Sequence, residues 1–138
     1  MFVERIPIEK LKGKKVLVIT TCSGTKLGDT PKVRAKAKDM YQGRLFKLVR
    51  KLCESHNWDY VIISGKYGLL FPDEEIEGYG DLYYNSLKTK KGIEALKLKV
   101  IPKLKKIISD YDNIIVIAGR RFRHVIEELV DDRFLIIK

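Results

Sequence analysis

The chain has 138 residues, 45% of them hydrophobic and 33% charged, with a formal net charge of +10. That length suits one globular domain whose core needs no staples, and the composition is not that of a disordered chain. No apolar run approaches the ~18 residues of a membrane span, no apolar signal segment opens the chain, and two cysteines are too few for a disulfide scaffold or a zinc site.

In chain order, Lys15–Thr21 reads as a buried strand, because Val16, Leu17, Val18 and Ile19 form an unbroken apolar run. The polar loop TTCSGTK follows. Asp29 to Lys38 comes next, with Lys32, Arg34, Lys36 and Lys38 alternating with Val33, Ala35 and Ala37; it is a loop or an extended surface segment. A helix is expected from Asp39, its N-cap, to about His56, with Tyr41, Leu45, Leu48, Val49 and Leu52 on one face and Cys53 buried beside them. Trp58–Ser64 is the second strand. A long ordered loop, GKYGLLFPDEEIEGYGD, carries the chain onward. Helical spacing resumes over Ile93–Tyr111, where Pro102 predicts a kink or a second helix start. Asn113–Ala118 is a third strand, Gly119 opens a third helix to about Val130, and Phe134–Ile137 is a last strand. Strands alternating with helices predict a single α/β domain over 1–138, a three-layer sandwich around a mostly parallel sheet of about four strands.

The charge is unevenly placed: residues 1–56 carry a net +9, residues 57–87 a net −5, and residues 88–110 a net +6. A surplus of this size favours a polyanionic partner, RNA or DNA. Abundant lysine and isoleucine with a single glutamine, Gln42, is the usage of a heat-adapted protein. The expected setting is the cytoplasm, with no membrane association.

Ligands of open α/β sheets bind beyond the carboxyl ends of the strands. Three such ends share one pattern here: TTCSGTK, SGKYG and AGRR each set a glycine and a cation just past an apolar strand. Glycine permits close approach, and Lys26, Lys66 and Arg120 would neutralise a phosphate or carboxylate. Ser23 and Thr25 can donate hydrogen bonds. Tyr67 and Tyr79 can stack on a base, and Gly68 is placed where a sharp turn needs a positive φ. Asp73, Glu74, Glu75 and Glu77 offer a carboxylate to orient Lys66 or to accept from a base's ring N–H. The P-loop, the dinucleotide fingerprint and the nucleophile elbow are all missing, and His56 and His124 fall on helices without catalytic spacing. No metal or cofactor is expected.

CSGTK, AKDMYQGRLFKL and SGKYGLLFPDEEIEGYG together resemble an uncharacterised family related to bacterial peroxide stress proteins. More distantly they resemble the catalytic core of archaeosine synthase, which modifies a 7-deazaguanine base in tRNA. The resemblance covers roughly residues 15–120 and implies a uracil-DNA-glycosylase-like α/β core. By position it implies site roles for Cys22, Ser23 and Lys26, for Ser64, Tyr67 and Gly68, and for Gly119. Lys26 is followed by Leu27, Gly28 and Asp29 where the archaeosine enzyme continues with Pro-Tyr. The water-activating motif of true uracil-DNA glycosylases is also missing, so base excision is not implied.

Three functions stay open. One is an enzyme acting on a modified purine or its nucleotide, free or within nucleic acid, with Cys22, Ser23, Lys26 and Lys66 as catalytic candidates and Ser64, Tyr67, Gly68, Tyr79, Gly119 and Arg120 as ligand-binding candidates. The second is a nucleic-acid-binding module without chemistry. The third is a small interaction domain of a larger assembly.

Overall fold

Alternate residues of the first strand face opposite cores, and this fixes the layering. In the computed structural model, which describes residues 2–137, strand β1 (Val16–Thr21) sends Val16 and Val18 into one apolar cluster and Leu17 and Ile19 into another. Strands β3 (Asp59–Ser64) and β6 (Asn113–Ile117) divide in the same way: Tyr60, Ile62, Ile115 and Ile117 on one side, Val61, Ile63, Ile114 and Val116 on the other. A strand buried on both faces must be apolar at every position, which explains the continuous runs.

The central sheet has five strands in the order β4-β3-β1-β6-β7, with β4 at Gly68–Leu70 and β7 at Phe134–Ile137. β1, β3, β6 and β7 are parallel, and β4 folds back antiparallel on β3. The sheet therefore has one strand more than the sequence predicts, because β4 is hidden in the glycine-rich loop. Two further short strands, β2 (Arg34–Lys36) and β5 (Glu75–Glu77), form a separate antiparallel ribbon. Ala35 and Ile76 are paired at its centre, and Arg34 joins Glu75 at 2.8 Å and Glu77 at 3.1 Å.

Helix α1 (Ala37–Met40) is a single turn, and α2 (Arg44–His56) packs Phe46, Val49, Leu52 and Cys53 on one face of the sheet. The single helix expected from Asp39 is therefore interrupted. Tyr41 and Gly43 are extended, so the apolar period restarts at Arg44, and Leu45 is left exposed. Asp39 is not the cap: its carboxylate accepts from Arg50 at 2.9 Å. The short helix α3 (Leu82–Ser86) precedes α4 (Lys90–Ile108), whose Leu96, Val100, Leu104 and Ile108 cover the other face together with Phe122, Val125 and Ile126 of α5 (Arg120–Ile126). α4 runs through Pro102 without a break. Proline there removes the bond to the Leu98 carbonyl, and the Leu98 side chain is highly exposed, so that stretch of the helix faces water.

No helix among the described residues is long and apolar enough to cross a membrane. β1 and β6 are neighbours in the sheet. From β1 the chain leaves by way of α2 on one face; from β6 it leaves by way of α5 on the other. Where two adjacent parallel strands send their connections to opposite faces, a crevice opens beyond their carboxyl ends.

Candidate functional site

That crevice is lined by the three strand ends. A cavity of about 250 Å³ is bounded by Cys22, Ser23, Gly24 and Lys26 after β1, Gly65 after β3, the segment Tyr79–Asp81, and Tyr84 and Phe122. A larger cleft of about 1090 Å³ shares Cys22, Gly24, Tyr84 and Phe122 with it and extends over Lys88, Lys90, Lys97, Gly119, Arg120 and Arg121. The β1 and β6 ends thus meet in one region, with Gly119 and Arg120 on its outer part.

Tyr79 organises the inner part. Its hydroxyl lies 2.6 Å from that of Tyr41 and 2.9 Å from Ser64 Oγ. Ser64 is fully buried and accepts from the amides of Lys66 (3.3 Å) and Tyr67 (3.2 Å), which leaves its own proton for Tyr79. Burial holds the Tyr41 and Tyr79 hydroxyls far above the usual phenol range. Ser64 thus supports the site from behind; it fixes the turn after β3 and aims Tyr79.

Both expected lysines converge on this ring. Lys26 Nζ stands 4.6 Å from the Tyr79 centroid, donates to the Gly24 carbonyl at 3.2 Å and lies 3.8 Å from Asp81. Its side chain is only 3% exposed, although Asp81 is largely in solvent. Lys66 Nζ sits over three rings, those of Tyr67 (5.1 Å), Tyr79 (5.7 Å) and Tyr83 (5.7 Å). Aromatic faces attract cations electrostatically, and several around one ammonium hold it in place. Lys66 does not line the cavity, and no carboxylate forms an ion pair with it among the described residues. The acidic residues expected beside it pair elsewhere: Asp73 meets Lys38 of α1 at 2.9 Å and Lys36 of β2 at 3.6 Å, and Glu74 meets Lys103 of α4 at 3.4 Å. Much of the basic surface expected near residues 32–38 is thereby neutralised within the molecule.

Other candidates are tied down. Ser23 Oγ donates to the Thr25 carbonyl at 2.7 Å and accepts from the Gly43 amide at 3.1 Å, capping α2 and anchoring the loop. The Tyr67 hydroxyl donates to the Glu77 carbonyl and accepts from the Glu77 amide, at 3.1 and 3.0 Å. Gly68 has φ +80°, as its turn predicts, but a Cβ there would stand 2.9 Å from Lys99 Cβ on α4. It is not among the residues lining the cavity, and its role is helix packing.

Cys22 continues the ladder, its amide donating to the Ile63 carbonyl at 3.0 Å. Burial pushes its thiol up, against the opposing pull of the Gly65 amide, the Tyr79 hydroxyl and the Lys26 ammonium. At neutral pH the site holds a thiol. A nucleophilic Cys22 needs a base, and among the described residues no histidine or carboxylate is hydrogen-bonded to it. His124 lines the same cleft, with Nδ1 2.9 Å from Glu127. Among the described residues no group of acids, histidines and cysteines forms a metal-binding cluster.

Sequence reasoning missed Tyr84, Asp81 and Arg121, while the lysines of residues 88–106, Lys88 and Lys90 among them, were expected only as a basic surface for phosphates. Tyr84 stands between cavity and cleft, with Phe122 at 6.2 Å and 34° between the ring planes, and Arg121 5.8 Å from its centroid. The signal for Asp81 and Tyr84 was the aromatic cluster in the stretch GYGDLYYNS, which has no apolar period, and Arg121 is the second arginine of AGRR. No curated protein and no solved structure matches the chain. A match does come from the profile of DUF6884, a family of unknown function, and it covers residues 16–137. It runs from the first residue of β1 to the last of β7, across every element that builds the crevice, and the chain therefore belongs to the DUF6884 family.

Proposed function

We propose that the protein binds a nucleobase at the carboxyl edge of its sheet, as a nucleotide or modified purine, free or within RNA or DNA. The observation that carries this reading is the 250 Å³ cavity lined by Tyr79, Tyr84 and Phe122 together with Lys26 and Asp81. A planar heterocycle presents apolar faces and a polar edge. Aromatic walls suit the faces, while an ammonium donor and a carboxylate acceptor suit the edge. The likeness of the sequence motifs to base-modifying, uracil-DNA-glycosylase-like cores supports the same ligand class. Lys26 and Asp81 would read the base, Cys22 would pack beneath it, and Ser23 and Ser64 would hold the loops that frame it. Chemistry on the base is the finer part of the proposal, and it requires a ligand group to accept the Cys22 proton.

Mass spectrometry of small molecules that co-purify with the chain, followed by calorimetry with nucleosides and nucleotides, tests this. A base-containing ligand is expected. Tyr84→Ala should weaken it about tenfold, in keeping with the ~1–3 kcal/mol of a base–aromatic stack. A protein that binds neither nucleoside, nucleotide nor oligonucleotide overturns the proposal.

A further inference from the structure

The outer cleft has a charge pattern that the base cavity does not explain. Its cations are Lys88, Lys90, Lys97, Arg120 and Arg121, with His124 beside them. Its two acids are already engaged: Glu94 with Lys97 at 3.3 Å and Glu127 with His124 at 2.9 Å. Lys88, Lys90 and Arg120 form no ion pair among the described residues, and the contacts of Arg121 are with Tyr84, through its ring and its hydroxyl at 3.4 Å. This contrasts with residues 34–38, where Arg34, Lys36 and Lys38 each meet a carboxylate. Like charges gathered in a cleft without counter-charges focus a positive field into it.

From this we infer that the cleft is a phosphate-chain site, taking two or three consecutive phosphates joined through shared oxygens, as in a nucleoside di- or triphosphate. Charge density supports a short chain. Lys88 and Lys90 flank the start of α4, Arg120 and Arg121 begin α5, and the two helices pack together, so four cations from two neighbouring helix ends line one cleft. Phosphates linked by single oxygens concentrate their charge in one place, as these cations are concentrated in one cleft. In a nucleic-acid strand, successive phosphates are separated by a whole sugar. The guanidinium of Arg120 can grip a phosphate with two hydrogen bonds, and the lysines act as point charges. The cleft joins the base cavity at Tyr84 and Phe122, so base and phosphates would belong to one ligand. The inference rests on the base-site proposal only for that last connection.

Calorimetric titration of the whole chain with orthophosphate, pyrophosphate and tripolyphosphate at physiological ionic strength tests it. Affinity should rise with each added phosphate. Arg120→Gln, and Lys88→Gln with Lys90→Gln, should each weaken tripolyphosphate about tenfold or more, the scale of one charge-assisted hydrogen bond. Lys51→Gln removes the same charge from α2, on the opposite face of the sheet, and should change nothing; thermal melting verifies that every variant is folded. Equal affinity for all three anions overturns the inference. So does an equal loss with Lys51→Gln, or an oligonucleotide that binds where tripolyphosphate does not. An unphosphorylated nucleoside separates the two proposals: if it fails to bind while tripolyphosphate behaves as expected, the base site falls and the phosphate site stands.

Discussion

Tyr79→Phe removes one oxygen and leaves the ring that carries both lysines. Two hydroxyls then lose their partner: Ser64, which donates to Tyr79, and Tyr41, 2.6 Å from it, and both residues are fully buried. A buried polar group left unsatisfied costs ~1–3 kcal/mol, so the pair should cost about 2–4 kcal/mol once partial relaxation is allowed. For a domain of this size ~3–4 °C of melting temperature accompanies each kcal/mol, which gives a fall of about 6–15 °C by calorimetry or circular dichroism. The hydroxyls form one chain, so Tyr41→Phe combined with Tyr79→Phe should cost less than the two single changes added, by ~0.5–3 kcal/mol. Nucleoside affinity should fall less than stability does, because the aromatic wall stays. A Tyr79→Phe variant melting within about 2 °C of wild type, or strict additivity with Tyr41→Phe, would refute the assignment of this tyrosine as the hub of the site.

Gly68→Val should lower the melting point while leaving ligand binding intact, because φ +80° strains a β-branched residue by ~1–3 kcal/mol and its Cβ would press on Lys99; weakened binding at an unchanged melting point would return Gly68 to the site. Stability should decline with alkali. The Cys22 thiol and the Tyr41 and Tyr79 hydroxyls hold their protons more tightly when folded than when unfolded, so their contribution is full below the ordinary thiol value of 9.0 and is lost as pH rises above it. Urea melts between pH ~8 and ~10.5 measure this. Cys22→Ser should flatten part of the decline, with Cys53, pushed up to about 12 by burial, supplying more; an unchanged profile in Cys22→Ser would show that Cys22 is not held protonated by the fold.

The strand cores, the parallel alternation and the glycine-plus-cation ends of β1 and β6 were all readable along the chain. Burial on two faces leaves an unbroken apolar run, and the strand-to-helix turns at the crevice leave glycine and charge after it. Other features depended on partners distant in sequence. β4 is three residues that become a strand only because β3 offers them an edge. The break at Tyr41–Gly43 follows from bonds to the β1 loop, where Leu27 and Gln42 amides donate to Met40 and Thr25 carbonyls and Ser23 caps Gly43. Local periodicity carries no trace of such bonds. Charge misled for a related reason. A net +9 over residues 1–56 promised a basic face, but ion pairing is set by spatial neighbours, and the acids of residues 73–77 fold onto that segment. Lys88 and Lys90, which form no ion pair among the described residues, look in sequence like any solvated run. Only the packing of α4 on α5 sets them opposite Arg120 and Arg121, because side chains from two separate helices share one cleft only once both helices are docked on the same face of the sheet.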